Sequence, residues 1–526
     1  MPSRSKTLNR EMEESLFEFI YLKAKTNIKI REILARECYN CFFKFWIKAC
    51  SELEKRGMIT MTDQKYIAFL DESKNIEDKK LRAYDYVFVD EFQDINPLDL
   101  NLVKAIVKRN QSKLTIVGDD DQAIFEWRGA TPEYILNPAR FFDLQFHTYT
   151  LEVNYRSPSN IVKSSQRLIA KNNNRVEKNI RSANQAKAEI EFHRTIDLRD
   201  ALDIVHKISQ NSNNRQNASR IAIIGRKRSE LIPYQVYFAS EIKVPFYAAE
   251  DLQLFLSDTF GRLLSLLEIK VNMRNHQSIR VSDILTLCNY IRRFPLHRDD
   301  QRSLSNYLYK SESNKLEQEQ VIDIIEKYPG PWKGSRKPST VSLDVADALR
   351  KFVRAESVSA VLQSFQEKFI GLQPDFGKFS KADEDIFYAD PPFEQLADYA
   401  SSYGDNYHEF LDSIRSAQST LVKTTDFGDE CEDNPLDHTV HLMTAPRAKG
   451  KEFDVVVLLN LRKGTWPDRR AALELEETKQ LAEAERRLFY VVFTRAKKKI
   501  VMLLGNSQNE DSPYINELEL PEQTGR

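Results

Sequence analysis

Tyr86 to Asp94 reads YVFVDEFQD: four apolar residues, β-branched or aromatic, followed at once by two carboxylates and a polar turn. The apolar run predicts a buried strand. Its acidic end places the carboxylates at the strand's carboxyl edge, where open α/β sheets hold their ligands. Further on, Leu114 to Val117 reads LTIV and runs into Gly118-Asp119-Asp120-Asp121, a second strand with an acidic end. Between the two, Asn96 can cap a helix, Pro97 fits its first turn, and Leu98, Leu102, Val103, Ile106 and Val107 recur on one face. Strand, helix, strand predicts an α/β layer, and α/β is the fold class expected for the chain.

Outward from this centre the pattern changes twice. Upstream, residues 1–81 show apolar residues at helical spacing, such as Leu16, Ile20 and Leu22, and then Phe42, Phe43, Phe45 and Trp46, which predicts a helical subdomain. Residues 82–147 form the first α/β unit. A second is expected over 148–267 and 438–506, with strands at Thr148 to Val153, Ile221 to Ile224, His438 to Met443, Val455 to Leu459 and Ile500 to Leu504, and an amphipathic helix carrying Leu481, Leu488, Val491 and Val492. Residues 268–437 read as a mostly helical insertion with a Pro/Gly loop at Pro329 to Pro338, and 507–526 as a polar, mobile tail.

Composition narrows the function classes. The chain has 526 residues, 77 basic against 78 acidic side chains, 41% hydrophobic and 29% charged residues, which is the make-up of a globular multidomain protein. Five cysteines in so long a chain exclude a small disulfide-stapled module. No apolar run would cross a bilayer, and Met1 to Ser15 has no secretion-signal core, so a reducing, cytoplasmic setting is expected without membrane partners. Near-neutral net charge leaves room for a locally basic nucleic-acid groove.

The acid pair suits one chemistry in particular. Asp90 can hold Mg²⁺, a hard cation that favours carboxylate and phosphate oxygens, while Glu91 can orient and deprotonate a water for attack on a phosphate anhydride. Two acids ending a strand in solvent is the bland alternative. Against it stand four more clusters: GDDDQAIFEWRGA at Gly118 to Ala130, NYRS at Asn154 to Ser157, TAPRAKGKEF at Thr444 to Phe453, and AERRLFYVVFTRA at Ala484 to Ala496. Cys38 and Cys41 have a metal-like spacing but no second pair nearby, and read as buried helical cysteines. His438 and His441 fall on opposite faces of a strand and read as packing or surface residues.

In this order and spacing the five segments resemble motifs II to VI of the UvrD/Rep-type superfamily 1 helicases, over about Leu81 to Leu504. The stretches IAIIGRKRSE at Ile221 and VPFYAAEDLQLF at Val244 add to the likeness. The resemblance implies two RecA-like motor domains, the first incomplete, with a helical 1B remnant and an inserted helical 2B domain. It implies that ATP and Mg²⁺ are the cofactors and that DNA, single-stranded or partly duplex, is the partner in 3′ to 5′ movement. By it, Asp90 coordinates Mg²⁺, Glu91 activates water and Gln122 senses the γ-phosphate. Tyr155 stacks on adenine, Glu452 contacts the ribose, and Arg156 and Arg495 are arginine fingers whose donor forks suit a leaving phosphoryl group. Phe125 and Trp127, with Arg128 nearby, stack on DNA bases; core packing is the alternative for these aromatics.

One departure is large. The family's glycine-rich loop, G-x-x-x-x-G-K-[ST], cradles phosphates on backbone N–H groups, and no stretch of this sequence reads that way. A second polypeptide supplying it, a shortened reading frame, or a non-catalytic DNA-binding homologue are the readings left open. The absent part is expected to hold a strand lying between the YVFV and LTIV strands, so that the first sheet has a gap. A smaller departure is Pro446, where the family usually carries His.

Overall fold

In the computed structural model the described residues are 55–57, 64–65, 68–69, 84–212, 220–242, 246–248, 258–276, 278–290, 298–309, 315–328, 340–364, 394–425, 440–468, 471 and 479–520. The expected helical opening, Cys38, Cys41 and His438 therefore lie outside them, apart from a few positions. The first α/β unit is as the sequence predicts in its order. Strand β1 (Tyr86–Val89) leads through the helix Pro97–Asn110 to β2 (Lys113–Ile116). Asn96 caps that helix by accepting from the Leu98 and Asp99 amides, and Asp99 returns a bond to the Asn96 amide. Of the predicted face, Leu98 and Val107 are fully buried.

The expected gap in this sheet is wrong. β1 and β2 pair directly and in parallel, Tyr86 opposite Lys113 through Val89 opposite Ile116. One crossover helix returning the chain to the same sheet places consecutive strands side by side, so nothing needs to stand between them. What is unusual lies on the outside of the pair. Neither strand has a second neighbour among the described residues, and the Tyr86 and Phe88 rings stack on an open face, Phe88 being 72% exposed.

The second unit is a six-stranded parallel sheet in the order β5-β12-β11-β6-β10-β7. Its strands are β5 (Glu189–Arg194), β6 (Ile221–Gly225), β7 (Phe246–Ala248), β10 (Val440–Thr444), β11 (Phe453–Leu458) and β12 (Ala496–Leu504). Side chains alternate between two apolar cores: Ile221, Ile223, Leu442, Val457 and Val501 face one, while Ala222, Ile224, Met443, Val456 and Met502 face the other. The first core runs on without a break into the helices between residues 258 and 425, from Leu266 to Ala417. That block is helical among its described residues except for one antiparallel pair, β8 (Ser278–Arg280) with β9 (Lys315–Glu317). The second core takes the helices Ser159–Ile169 and Lys479–Phe493.

Two expectations fail here. The strand predicted at Thr148 to Val153 is reduced to β3 (Val153–Asn154), which pairs only with β4 (Arg181–Ser182) and lies outside the large sheet. Tyr149 and Leu151, 87% and 85% exposed, have the strand pattern but no sheet face to bury it. The tail after Gly505 is not free either: Pro513–Glu517 is a helix, and Tyr514, Ile515 and Leu518 are buried in the second core. His441 packs between the Tyr247 and Phe453 rings, as read from the sequence.

Candidate active site

The site residues sit where strands end. Asp90 follows β1 with an exposed carboxylate whose Oδ1 accepts from the Glu91 amide at 2.8 Å. Glu91 adopts a left-handed backbone, φ 50°, which turns the chain sharply at the strand's end and leaves its carboxylate largely in solvent. The buried Gln93 ties this turn to the next strand: its amide nitrogen donates to Glu91, and its oxygen accepts from the Asp119 amide at 2.9 Å. A Cβ at Gly118 would stand 2.3 Å from Gln93 Oε1, so a larger residue there would displace the Gln93 bridge. The two acidic strand ends are thus locked side by side.

Asp119, Asp120 and Asp121 serve the scaffold. Lys178 pairs with all three, and Arg175 grips Asp121 through Nε and Nη2 at 2.9 and 2.8 Å. Burial opposes the Lys178 charge, but the aspartates outweigh it and raise its pKa. Gln122 is what this cluster presents. Its amide nitrogen donates to Asp119 Oδ2 at 2.7 Å and its Oε1 accepts from Arg495 Nη2 at 3.2 Å.

Arg495 comes from the end of the helix Lys479–Phe493, in the second unit. It is buried, with Nε donating to Val491 O at 2.8 Å and Nη1 to Lys451 O at 3.3 Å. Burial first, and then the Arg156 charge, pull its pKa down to about 10. Two guanidiniums brought together in this way make a place that favours an anion. Arg156 itself is half exposed, 3.4 Å from Glu452, and Lys497 pairs with the same carboxylate. Hydrogen bonding from Lys497, and the two cations, hold Glu452 below the usual carboxylate range. Tyr155, beside Arg156, is 80% exposed and its ring is open to a planar ligand.

The predicted residues therefore fall into two sets. Glu91, Gln122 and Arg495 are linked through Gln93 and Asp119, and Arg156 with Glu452 borders Arg495. Phe125 is elsewhere in character: half-buried, packed on the second core, with Arg128 5.4 Å and Lys449 Nζ 5.3 Å from its ring centre. Arg128 is exposed, and the Trp127 side chain lies outside the described structure. A residue the sequence reading missed is Lys449, whose ammonium lies 2.7 and 2.5 Å from the Asp94 carboxylate oxygens and 2.9 Å from Gln122 O. Burial raises the Asp94 pKa against the pull of Lys449. Two more arginines of the helix Lys479–Phe493 are engaged: Arg486 forks onto Glu517, and the buried Arg487 reaches Glu126 Oε1 at 3.0 Å.

The family profile described as UvrD/REP helicase N-terminal domain matches residues 8–143, and the one described as UvrD-like helicase C-terminal domain matches 149–507. Among curated relatives, the ATP-dependent DNA helicase PcrA of Leuconostoc citreum is 26% identical over 453 residues, 83% of this chain and 57% of that protein. A probable DNA helicase II homolog of Mycoplasma capricolum is 25% identical, covering 85% and 60%. The ATP-dependent DNA helicase Rep of Buchnera aphidicola is 26% identical, covering 82% and 64%. The chain thus spans about three fifths of the length of these relatives. With one profile matching residues 149–507, more than half of the chain, and the other matching the first unit, the chain belongs to the UvrD/Rep-type superfamily 1 helicase family.

Proposed function

We propose that the chain carries the acid and arginine sides of an ATP-hydrolysing DNA motor that moves 3′ to 5′ along one strand, in repair, recombination or defence against foreign DNA. The observation that carries this reading is the contact of Arg495 with Gln122, 373 positions apart in sequence, at the seam between the two α/β units. Arg495 and Arg156 are the charges that would receive a phosphoryl group there. Exposed Asp90 fits a hard cation. Mg²⁺ suits a site of this kind, being commonly held by one or two carboxylates together with phosphates and water.

In this reading Mg²⁺ supplies charge neutralisation of the phosphates when bound. The chain's own residues do the rest. Glu91, free on its solvent side, accepts a proton from the attacking water. Arg156 and Arg495 donate to the leaving phosphoryl oxygens, Gln122 reads their presence, and Tyr155 and Glu452 seat the base and ribose. Phe125, Trp127 and Arg128 are the DNA side. The described helices between residues 268 and 425 belong to the 2B insertion, and the phosphate-cradling loop comes from outside these 526 residues.

The test is ATP turnover stimulated by single-stranded DNA, measured on the chain alone and with a phosphate-loop segment taken from a PcrA relative. Turnover is expected only with the added segment, and Glu91→Gln abolishes it. Strand binding with steep salt dependence but no turnover in either arm would overturn the motor reading in favour of a DNA-binding subunit.

A further inference from the structure

The loop between β10 and β11 sends a single cation across the seam. Lys449 has three N–H donors, and all three are spent: two on the Asp94 carboxylate, at 2.7 and 2.5 Å, and one on the Gln122 carbonyl, at 2.9 Å. The Phe125 ring lies 5.3 Å beneath the same ammonium, and Glu91 Oε2 is 3.8 Å away. The side chain is 9% exposed, so these contacts are made largely out of water, where charge-assisted bonds are strongest.

The partners matter more than their number. Asp94 closes the turn that begins at Glu91, and Gln122 carries, on its side chain, the contact to Arg495. One ammonium from the second unit therefore touches both acidic strand ends of the first. Asp94 supplies its close counter-ion, so the Glu91 carboxylate stays outside the tight ion pair and largely in solvent.

We propose that Lys449 is a positioning residue, which fixes the Glu91 turn and the Gln122–Arg495 contact in one geometry and so couples the nucleotide side of the seam to the Phe125 side. This rests on the nucleotide and DNA reading of the same site. A displacement at Phe125 moves Lys449, and with it both Asp94 and the Gln122 backbone. A neutral side chain of similar length would fill the space without transmitting the shift.

The experiment compares wild type, Lys449→Met and Lys449→Arg as full chains, first by hydrogen–deuterium exchange. Lys449→Met is expected to raise exchange at Asp94 and over Gln122 to Phe125 about tenfold, the size expected for losing a charge-assisted bond. Exchange in β6 and β11 stays unchanged, and Lys449→Arg restores most of the protection. The second arm measures binding of a fluorescent ATP analogue with Mg²⁺, with and without oligothymidylate. In wild type the strand shifts nucleotide affinity, and in Lys449→Met that shift vanishes while each ligand still binds alone. Unchanged exchange at both segments, loosening spread evenly over the second core, or an undiminished strand effect overturns the proposal. Failure of wild type to bind the analogue overturns the nucleotide reading instead, and the exchange arm then judges Lys449 as a seam contact by itself.

Discussion

Single charges in this molecule are placed where they cost most. Arg226 and Glu485 form a two-pronged pair, with Glu485 buried and Arg226 partly so, joining the end of β6 to the helix Lys479–Phe493. Removing one member strands the other, so Arg226→Met is expected to lower unfolding stability by about 3 kcal/mol in denaturant titrations. Lys270 is a second case: buried, with Nζ donating to Phe352 O and Val353 O at 2.8 Å, and with Arg274 and Glu356 as its charged neighbours. Burial brings its pKa down from 10.5 to about 8. Between these values the unfolded chain binds more protons, so stability rises as pH increases from about 8 to 10.5 and is lost as pH falls through about 8. Lys270→Met is expected to abolish that increment, seen as the difference between the two proteins' urea midpoints from pH 7 to 10.5. That Arg495, Gln122 and Arg156 come near one another could be expected from the sequence because each sits in a motif. Lys449 and Gln93 were not, because their roles come from contacts that no spacing encodes, such as Lys449 with a residue 355 positions away.

At the scale of elements, burial on both faces decided what could be read. β6, β10, β11 and β12 are apolar runs because parallel central strands meet a core on each side. β5, EIEFHR, has one neighbour among the described residues and a mostly polar sequence, so its pattern was silent. The stretch from Tyr149 to Val153 erred the other way, with the alternation of a strand and only a two-residue pairing. The helix Pro513–Glu517 was missed because five residues carry too little periodicity, yet it closes the second core and anchors Arg486 through Glu517. Tyr514→Ala is expected to cost about 3 kcal/mol, read from the denaturation midpoint at unchanged slope. If Tyr514→Ala left the midpoint where it was, the terminal helix would not be part of the core.

For the whole molecule the decisive fact is that two α/β units meet through polar side chains, Arg495 on Gln122 and Lys449 on Asp94 and the Gln122 carbonyl. Ile124 is buried in the second core and Phe125 packs against it, so the loop after β2 belongs structurally to both units. The large sheet is covered on both faces, whereas the β1–β2 pair keeps Tyr86 and Phe88 open. No described helix is long and apolar enough to cross a membrane. In the proposed motor, nucleotide phosphates are held at this seam, with the base over Tyr155 and the charge on Arg156 and Arg495. Photolabelling with 8-azido-ATP and Mg²⁺, followed by peptide mapping, tests it most directly. The account predicts label on the peptide containing Tyr155, competed by ATP and lost in Arg495→Ala. Label confined to another region, or undiminished in Arg495→Ala, would contradict it.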